Sequence, residues 1–168
     1  MKYRIIFLFV FLILTPYCVR ALNTDAQLPI QVNADSAQFD KKTGIGTYWG
    51  HIQLIQGTTV IQADFGKTYL DDQGKLVKLM ISGKPACYRT LLEPQQPEFI
   101  ATGNVIYLYP IKGWVQLIGN AHLTQGHDQF FGPQVNYDFK KKLVIVPASN
   151  KGRTHIIVQS PKDFQKRS

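Results

Sequence analysis

Apolar residues recur at every second position along this chain, in short runs broken by turn-forming residues. Ile30-Gln31-Val32 alternates, as do Ile45–Trp49 and Ile52–Gln56, and Val60–Phe65 follows. After the turn Asp71-Asp72-Gln73-Gly74 comes Leu76–Ile81. The second half continues with Val105–Tyr109, Trp114–Ile118, Ala121–Thr124, Gln129–Phe131, Val135–Phe139, Leu143–Val146 and Thr154–Val158. These runs are rich in Val, Ile, Tyr, Thr and Phe, which suit a pleated surface. No window of eleven or more residues keeps helical spacing without a Gly, Pro or turn cluster interrupting it. The pattern predicts an all-β fold, with at most one helical turn near residues 22–28.

An internal repeat organises the runs. Residues 39–57 superpose on 108–126 at an offset of 69, matching Gly44 to Gly113, Gly50 to Gly119 and Leu54 to Leu123. Farther along the offset becomes 67, and Lys75-Leu76-Val77 matches Lys142-Leu143-Val144. Two repeated strand meanders of about 65 residues therefore span nearly the whole body of the chain. Two units are too few for a propeller, so a folded-over sheet with two apolar inner faces is the expected product.

Alternation assigns Ile30, Val32, Tyr48, Ile52, Leu54, Ile61, Ala63, Val77, Leu79 and Ile81 to the inner face of the first unit. Val115, Leu117, Ala121, Leu123, Phe130, Val144 and Val146 join them from the second. His51, Gln53, Gln62, Asp64, Gln116 and His122 fall on the outer face. The small inner residues Gly46, Gly50, Ala63, Ala121 and Gly132 are expected to leave room between the walls. A sandwich filled by its own larger side chains is the competing arrangement.

Charge narrows the class. The net charge of +8 is concentrated at the two ends: residues 22–139 hold eight basic and ten acidic side chains, whereas residues 140–168 hold eight basic side chains and only Asp163. A nucleic-acid binder would spread Lys and Arg over a face, so none is expected as partner. Lys2 and Arg4 precede the apolar run Ile5–Leu14, and Val19-Arg20-Ala21 offers a cleavage site. That is the layout of a secretory signal peptide over 1–21. An uncleaved anchor is the alternative, although ten apolar residues span only about half of a bilayer core. Bulky Tyr17 before Cys18 argues against lipidation. A domain over 22–160 and a basic tail over 161–168 would remain, with Cys87 as the one cysteine and no disulfide.

Four strings carry a resemblance. Pro29-Ile30-Gln31-Val32-Asn33-Ala34-Asp35, Gly50–Gly57 with Ile61-Gln62-Ala63-Asp64, Ser82-Gly83-Lys84-Pro85-Ala86 and Gly119-Asn120-Ala121-His122-Leu123 resemble the OstA-like family over about residues 28–160. The resemblance implies a twisted β-jellyroll with a V-shaped cross-section and an apolar interior in the periplasm. It implies transport of lipopolysaccharide from an inner-membrane exporter, energised by an ATPase there, to the outer membrane. The implied partners are an LptC-like inner-membrane protein, an LptD-like outer-membrane translocon and further copies of the chain stacked head to tail. Carried over by position, the family's lipid-contact sites fall on Ile30, Val32, Tyr88 and Leu108, with the Tyr88 hydroxyl reaching water or a phosphate at the rim. The chain departs from the family at Pro133, where an acidic residue commonly follows the glycine. It departs again at Tyr109-Pro110, which interrupts the strand from Val105.

The residues themselves suggest no enzyme, cofactor or metal. His51, His122, His127 and His155 fall in unrelated places, with no nucleophile or ligand set beside them, and no phosphate-cradling Gly-rich loop with Lys-Ser or Lys-Thr occurs. The basic residues Lys140-Lys141-Lys142, Lys151, Arg153, Lys162, Lys166 and Arg167 would suit lipid phosphates or an acidic partner, or simply a solvated end. A periplasmic β-protein for another lipid or a glycan, and an anchored LptC-like neighbour, stay open as alternatives.

Overall fold

The structure is a computed structural model, and it describes residues 25, 28–150 and 152–158. The expected leader over 1–21 with its cleavage site, Lys151, and the expected tail over 161–168 lie outside the described residues. Within them the all-β expectation is borne out. The strands are β1 (Gln31–Asn33), β2 (Ser36–Asp40), β3 (Ile45–Gln56), β4 (Thr59–Leu70), β5 (Leu76–Thr90), β6 (Phe99–Tyr109), β7 (Trp114–Gln125), β8 (Asp128–Asp138), β9 (Leu143–Ile145) and β10 (His155–Ile157). All pair antiparallel in one open sheet ordered β1-β3-β4-β5-β6-β7-β8-β10, with β2 beside β1 on β3 and β9 beside β10 on β8. The expectation of at most one helical turn near residues 22–28 falls mostly outside the described residues, among which Leu28 N donates to Asp25 O at 3.0 Å.

The pattern divides into short runs what the structure joins into strands of eleven to fifteen residues. Each long strand is broken by an irregularity at one common level. Ladder registers shift between Trp49 and Ile52, Gln62 and Phe65, Ser82 and Ala86, Thr102 and Val105, and Ile118 and Ala121. A bulge bends its strand and sharpens its twist, so five aligned bulges crease the whole sheet. Pro85 and Pro133 both lie in this crease, where the ladder is interrupted and no donor is missed. The register is regular on either side of Pro133 but shifts across it, and Pro110 only opens the turn after β6.

The repeat accounts for the crease. At the offset of 69, β3 superposes on β7 end to end, and β1 with β2 superposes on β6. Gly50 and His51 have φ of 70° and 41°, and Gly119 and Asn120 have 73° and 49°. A Cβ at Gly50 would run into the Asp35 side chain, and one at Gly119 into Asn104, which is Asp35's equivalent. Both the left-handed backbone and the close approach require glycine there. Asp35 N donates to Gly50 O at 3.0 Å, and Asp35 Oδ2 pairs with His51 Nδ1 at 2.7 Å, pinning the edge strand at its bend.

Folding along the crease turns one sheet into two facing walls. Ile81, Phe99, Ile106, Val115, Leu117, Leu123 and Val135 are the largest fully buried side chains. Each contributes about 1.5–3 kcal/mol by leaving water. The inner-face assignment holds for Ile52, Leu54, Ile61, Ala63, Leu79, Ile81, Val115, Leu117, Ala121 and Leu123, which are buried, while Val32, Tyr48, Phe130, Val144 and Val146 pack against them. Two assignments fall outside this core: Ile30, which is 44% exposed, and Val77. A register shift between Tyr69 and Leu70 turns Leu76 inward in its place. The glycines do not leave room as expected. A Cβ on Gly46 would meet Thr68 and the Tyr48 phenol, and one on Gly132 would lie 3.1 Å from Val146. They permit close packing, and free space arises elsewhere, between the rims.

Candidate functional site

Meander turns alternate between the two ends of the strands, so the folded sheet has two rims. One carries the turn at residues 57–58, the loop at 91–98 and the turn at 126–127; the other carries 41–44, 71–75, 110–113 and 139–142. Between them lies a cavity of about 600 Å³ whose wall is mostly aliphatic and aromatic, a size suited to a small or chain-like ligand. Leu54, Ile61, Leu79 and Leu108 line it from the walls, while Leu91, Leu92 and Glu93 line it from the loop. The N-terminal segment lies along the first rim. Asp25 Oδ2 accepts from Thr58 N at 2.8 Å and from Thr58 Oγ1 at 2.5 Å, and Gln56 Nε2 donates to Leu28 O at 3.0 Å.

Three of the four residues carried over by resemblance meet at this cavity: Ile30, Tyr88 and Leu108. Ile30 is 44% exposed at its mouth, whereas Leu108 is buried in its floor. Val32 is not part of the lining; it pairs with Leu54 and packs against the core. Tyr88 is buried rather than set at the rim. Burial pushes its phenol up to about 12, against hydrogen bonds with Thr90 and Thr59 that favour the phenolate. Thr59 Oγ1 and Thr90 Oγ1 are themselves 2.9 Å apart, so the phenol belongs to an internal polar cluster. Leu54, Ile61 and Leu79 were legible as inner-face positions. Leu91, Leu92 and Glu93 carried no periodic signal, because they sit in a loop.

An aromatic cluster ties the walls together. The Phe99 ring lies 6.0 Å from Tyr88, 4.9 Å from Tyr137 and 5.3 Å from Phe139. At the mouth, Lys142 Nζ donates to Glu93 Oε1 at 2.6 Å and so joins the loop at 91–98 to the opposite rim. That hydrogen bond raises the Lys142 ammonium above its ordinary value. Residues of both units line the cavity beneath the loop, from Ile30, Leu54 and Ile61 to Trp114, Tyr137 and Phe139.

On the outer face the histidines are less scattered than the sequence suggests. His122 stacks on Phe131 at 4.0 Å, and His155 lies against the same ring at 5.6 Å. No cluster of three metal-ligating side chains occurs among the described residues. Cys87 is free and half-buried on this face, and burial raises its thiol.

An open antiparallel sheet, creased over an apolar cavity and ending in a split edge strand on either side, defines a β-jellyroll trough. The chain belongs to the LptA/(LptD N-terminal domain) LPS transport protein family, which it matches over residues 31–143. It is 32% identical over 124 residues to the lipopolysaccharide export system protein LptH of Pseudomonas aeruginosa, covering 74% of this chain and 71% of that protein. It is 28% identical over 149 residues to the lipopolysaccharide export system protein LptA of Escherichia coli K12, covering 86% and 78%. The crystal structure of LptH, the periplasmic LptA homologue of Pseudomonas aeruginosa, superposes with a TM-score of 0.74 and 26% identity over 82% of this chain and 99% of that one. The OstA-like resemblance and the V-shaped β-jellyroll it implied are borne out.

Proposed function

We propose that this chain is a periplasmic lipopolysaccharide carrier, exported by its leader over 1–21. It holds lipid A acyl chains in the trough and passes them from an LptC-like inner-membrane partner to an LptD-like translocon. The observation that carries the reading is the apolar cavity lined by Ile30, Tyr88 and Leu108 within a sheet that is open at both edges. Each methylene kept from water is worth about 0.8 kcal/mol, so a twelve-carbon chain crossing the periplasm unshielded would cost about 8–10 kcal/mol. A trough removes that barrier without supplying direction, which an energised exporter must provide.

The edges support the handover. Of twelve large exposed hydrophobic side chains among the described residues, eight lie in segments 28–39 and 143–158, which hold the edge strands. Unpaired strand edges recruit further strands, and apolar side chains beside them suit a permanent partner. Photocrosslinkers placed at Ile30 and Leu108 should capture lipopolysaccharide in cells, and one at outward Gln62 should not. Equal capture from all three positions, or capture of a glycan without acyl chains, would overturn the trough reading.

A further inference from the structure

The turn at 139–142 is built to aim one lysine across the mouth of the trough. Asp138 Oδ1 accepts from Lys140 N at 2.9 Å and from Lys141 N at 3.0 Å, which folds the turn. The Lys140 ammonium is engaged on its own rim, donating to Ile111 O at 3.2 Å, and the Lys141 ammonium lies 3.9 Å from Asp138. Lys142, at a φ of 51°, instead lines the cavity and reaches the far rim, where it meets Glu93. Glu93 belongs to the loop at 91–98, whose Leu91 and Leu92 cover the cavity.

We propose that Lys142 binds the phosphate of an amphiphile whose acyl chains occupy the cavity, and that Glu93 holds the lysine until that phosphate displaces it. The proposal rests on the trough reading above and adds a headgroup site to it. Three points carry it. The pair is exposed, with side chains 71% and 49% accessible, so it holds weakly and exchanges readily. A phosphate offers more charge and more acceptor oxygens than a carboxylate and makes the stronger charge-assisted bond. Chains seated beneath Leu91 and Leu92 raise the local phosphate concentration at Lys142, so a tethered phosphate competes where a free one does not.

The test titrates dodecyl phosphate, dodecyl maltoside and inorganic phosphate, each as monomers in solution, into the purified wild-type chain and its Glu93→Gln and Lys142→Gln variants. Both substitutions are at exposed side chains, and unchanged thermal unfolding checks that they fold. Glu93→Gln should tighten dodecyl phosphate about fivefold, the worth of an exposed ion pair. Lys142→Gln should abolish the wild type's preference for dodecyl phosphate over dodecyl maltoside. Dodecyl maltoside affinity should be the same in all three proteins. Equal tightening of both amphiphiles by Glu93→Gln would overturn the phosphate site, as would a preference that survives Lys142→Gln. Inorganic phosphate should not compete at concentrations that saturate the ester; equal competition would mean an anion site independent of the cavity and would also overturn the proposal. If neither amphiphile binds any of the three folded proteins, the trough reading itself fails. Binding of both amphiphiles without discrimination fails the headgroup site alone.

Discussion

The Phe99 and Tyr137 rings lie 4.9 Å apart, yet the strand ladders separate them widely. Phe99 pairs with Gln125 at the start of β6, whereas the ladder row of Tyr137 runs through Val115 to Leu108. Nine residues of extended strand would set those rows about 30 Å apart on a flat sheet. The contact therefore measures the fold-over at the crease. It also places the largest fully buried side chain at the junction of the two walls.

Phe99→Ala should destabilise the protein by about 3–5 kcal/mol, the usual cost of emptying a buried aromatic site. For a chain of this size that lowers the melting temperature by roughly 10 °C. Trp49→Ala, at a side chain 40% exposed on the outer face, should cost much less. Thermal unfolding followed by circular dichroism compares them, and similar losses would mean that the ring cluster does not join the walls.

Acyl-chain binding should depend on the face of the sheet. Ile30→Asp sets a carboxylate at the cavity mouth, where it must ionise against apolar chain or stay protonated, and should weaken lipid binding about tenfold. Gln62→Asp, exposed and outward, is the matched control. His51 would be a poor one, because its ring already pairs with Asp35. Displacement of a fluorescent fatty acid reads both variants. Equal weakening with folding intact would refute the assignment of faces.

The sequence shows the strand class, the inner face and the repeat, because each is written in local alternation and in glycine spacing. It hides the length of the strands. Gly50-His51 and Gly83-Lys84-Pro85 read as breaks, whereas the structure runs each strand through them as a bulge. β2 alternates only briefly, through Ala37 and Phe39, and all five of its residues are exposed, so its pairing with β3 is not legible. At the site, alternation identifies Leu54, Ile61 and Leu79, and resemblance adds Ile30, Tyr88 and Leu108. The Glu93–Lys142 pair joins residues 49 positions apart across opposite rims, and only the fold-over brings them together.

His51 should titrate above the ordinary histidine value of 6.5, because Asp35 hydrogen-bonds its ring and its charge favours the imidazolium. A histidine pKa raised by folding gives stability that is full below the unfolded value and is lost as pH rises through the folded one. Asp35→Asn removes both causes. The variant should return the His51 ring resonances to an ordinary midpoint in an NMR titration. The melting-temperature difference from wild type should be largest below pH 6.5 and shrink above it. An unshifted wild-type midpoint would show that the pair does not pin the edge strand.

The C-terminal edge offers the sharpest test of head-to-tail assembly. Residues 155–157 pair with 131–129 of β8, and their other side faces no strand among the described residues. In an antiparallel ladder successive amides point to opposite sides. One of Ile156→Pro and Ile157→Pro therefore removes a donor to β8, and the other removes an outward donor. The first should lower the melting temperature. The second should leave it nearly unchanged while shortening assemblies, because an incoming strand binds through those outward groups. Heterologous edge pairing does not close on itself, so wild-type assemblies should lengthen with concentration. Sedimentation velocity over a hundredfold concentration range, for the wild type and both variants, reads the lengths. A wild type that stays monomeric throughout, with no binding to fragments of either membrane partner, would sink the bridge and leave a free lipid carrier. Equal shortening by both variants would trace the effect to a loosened β10 rather than to a lost outward donor.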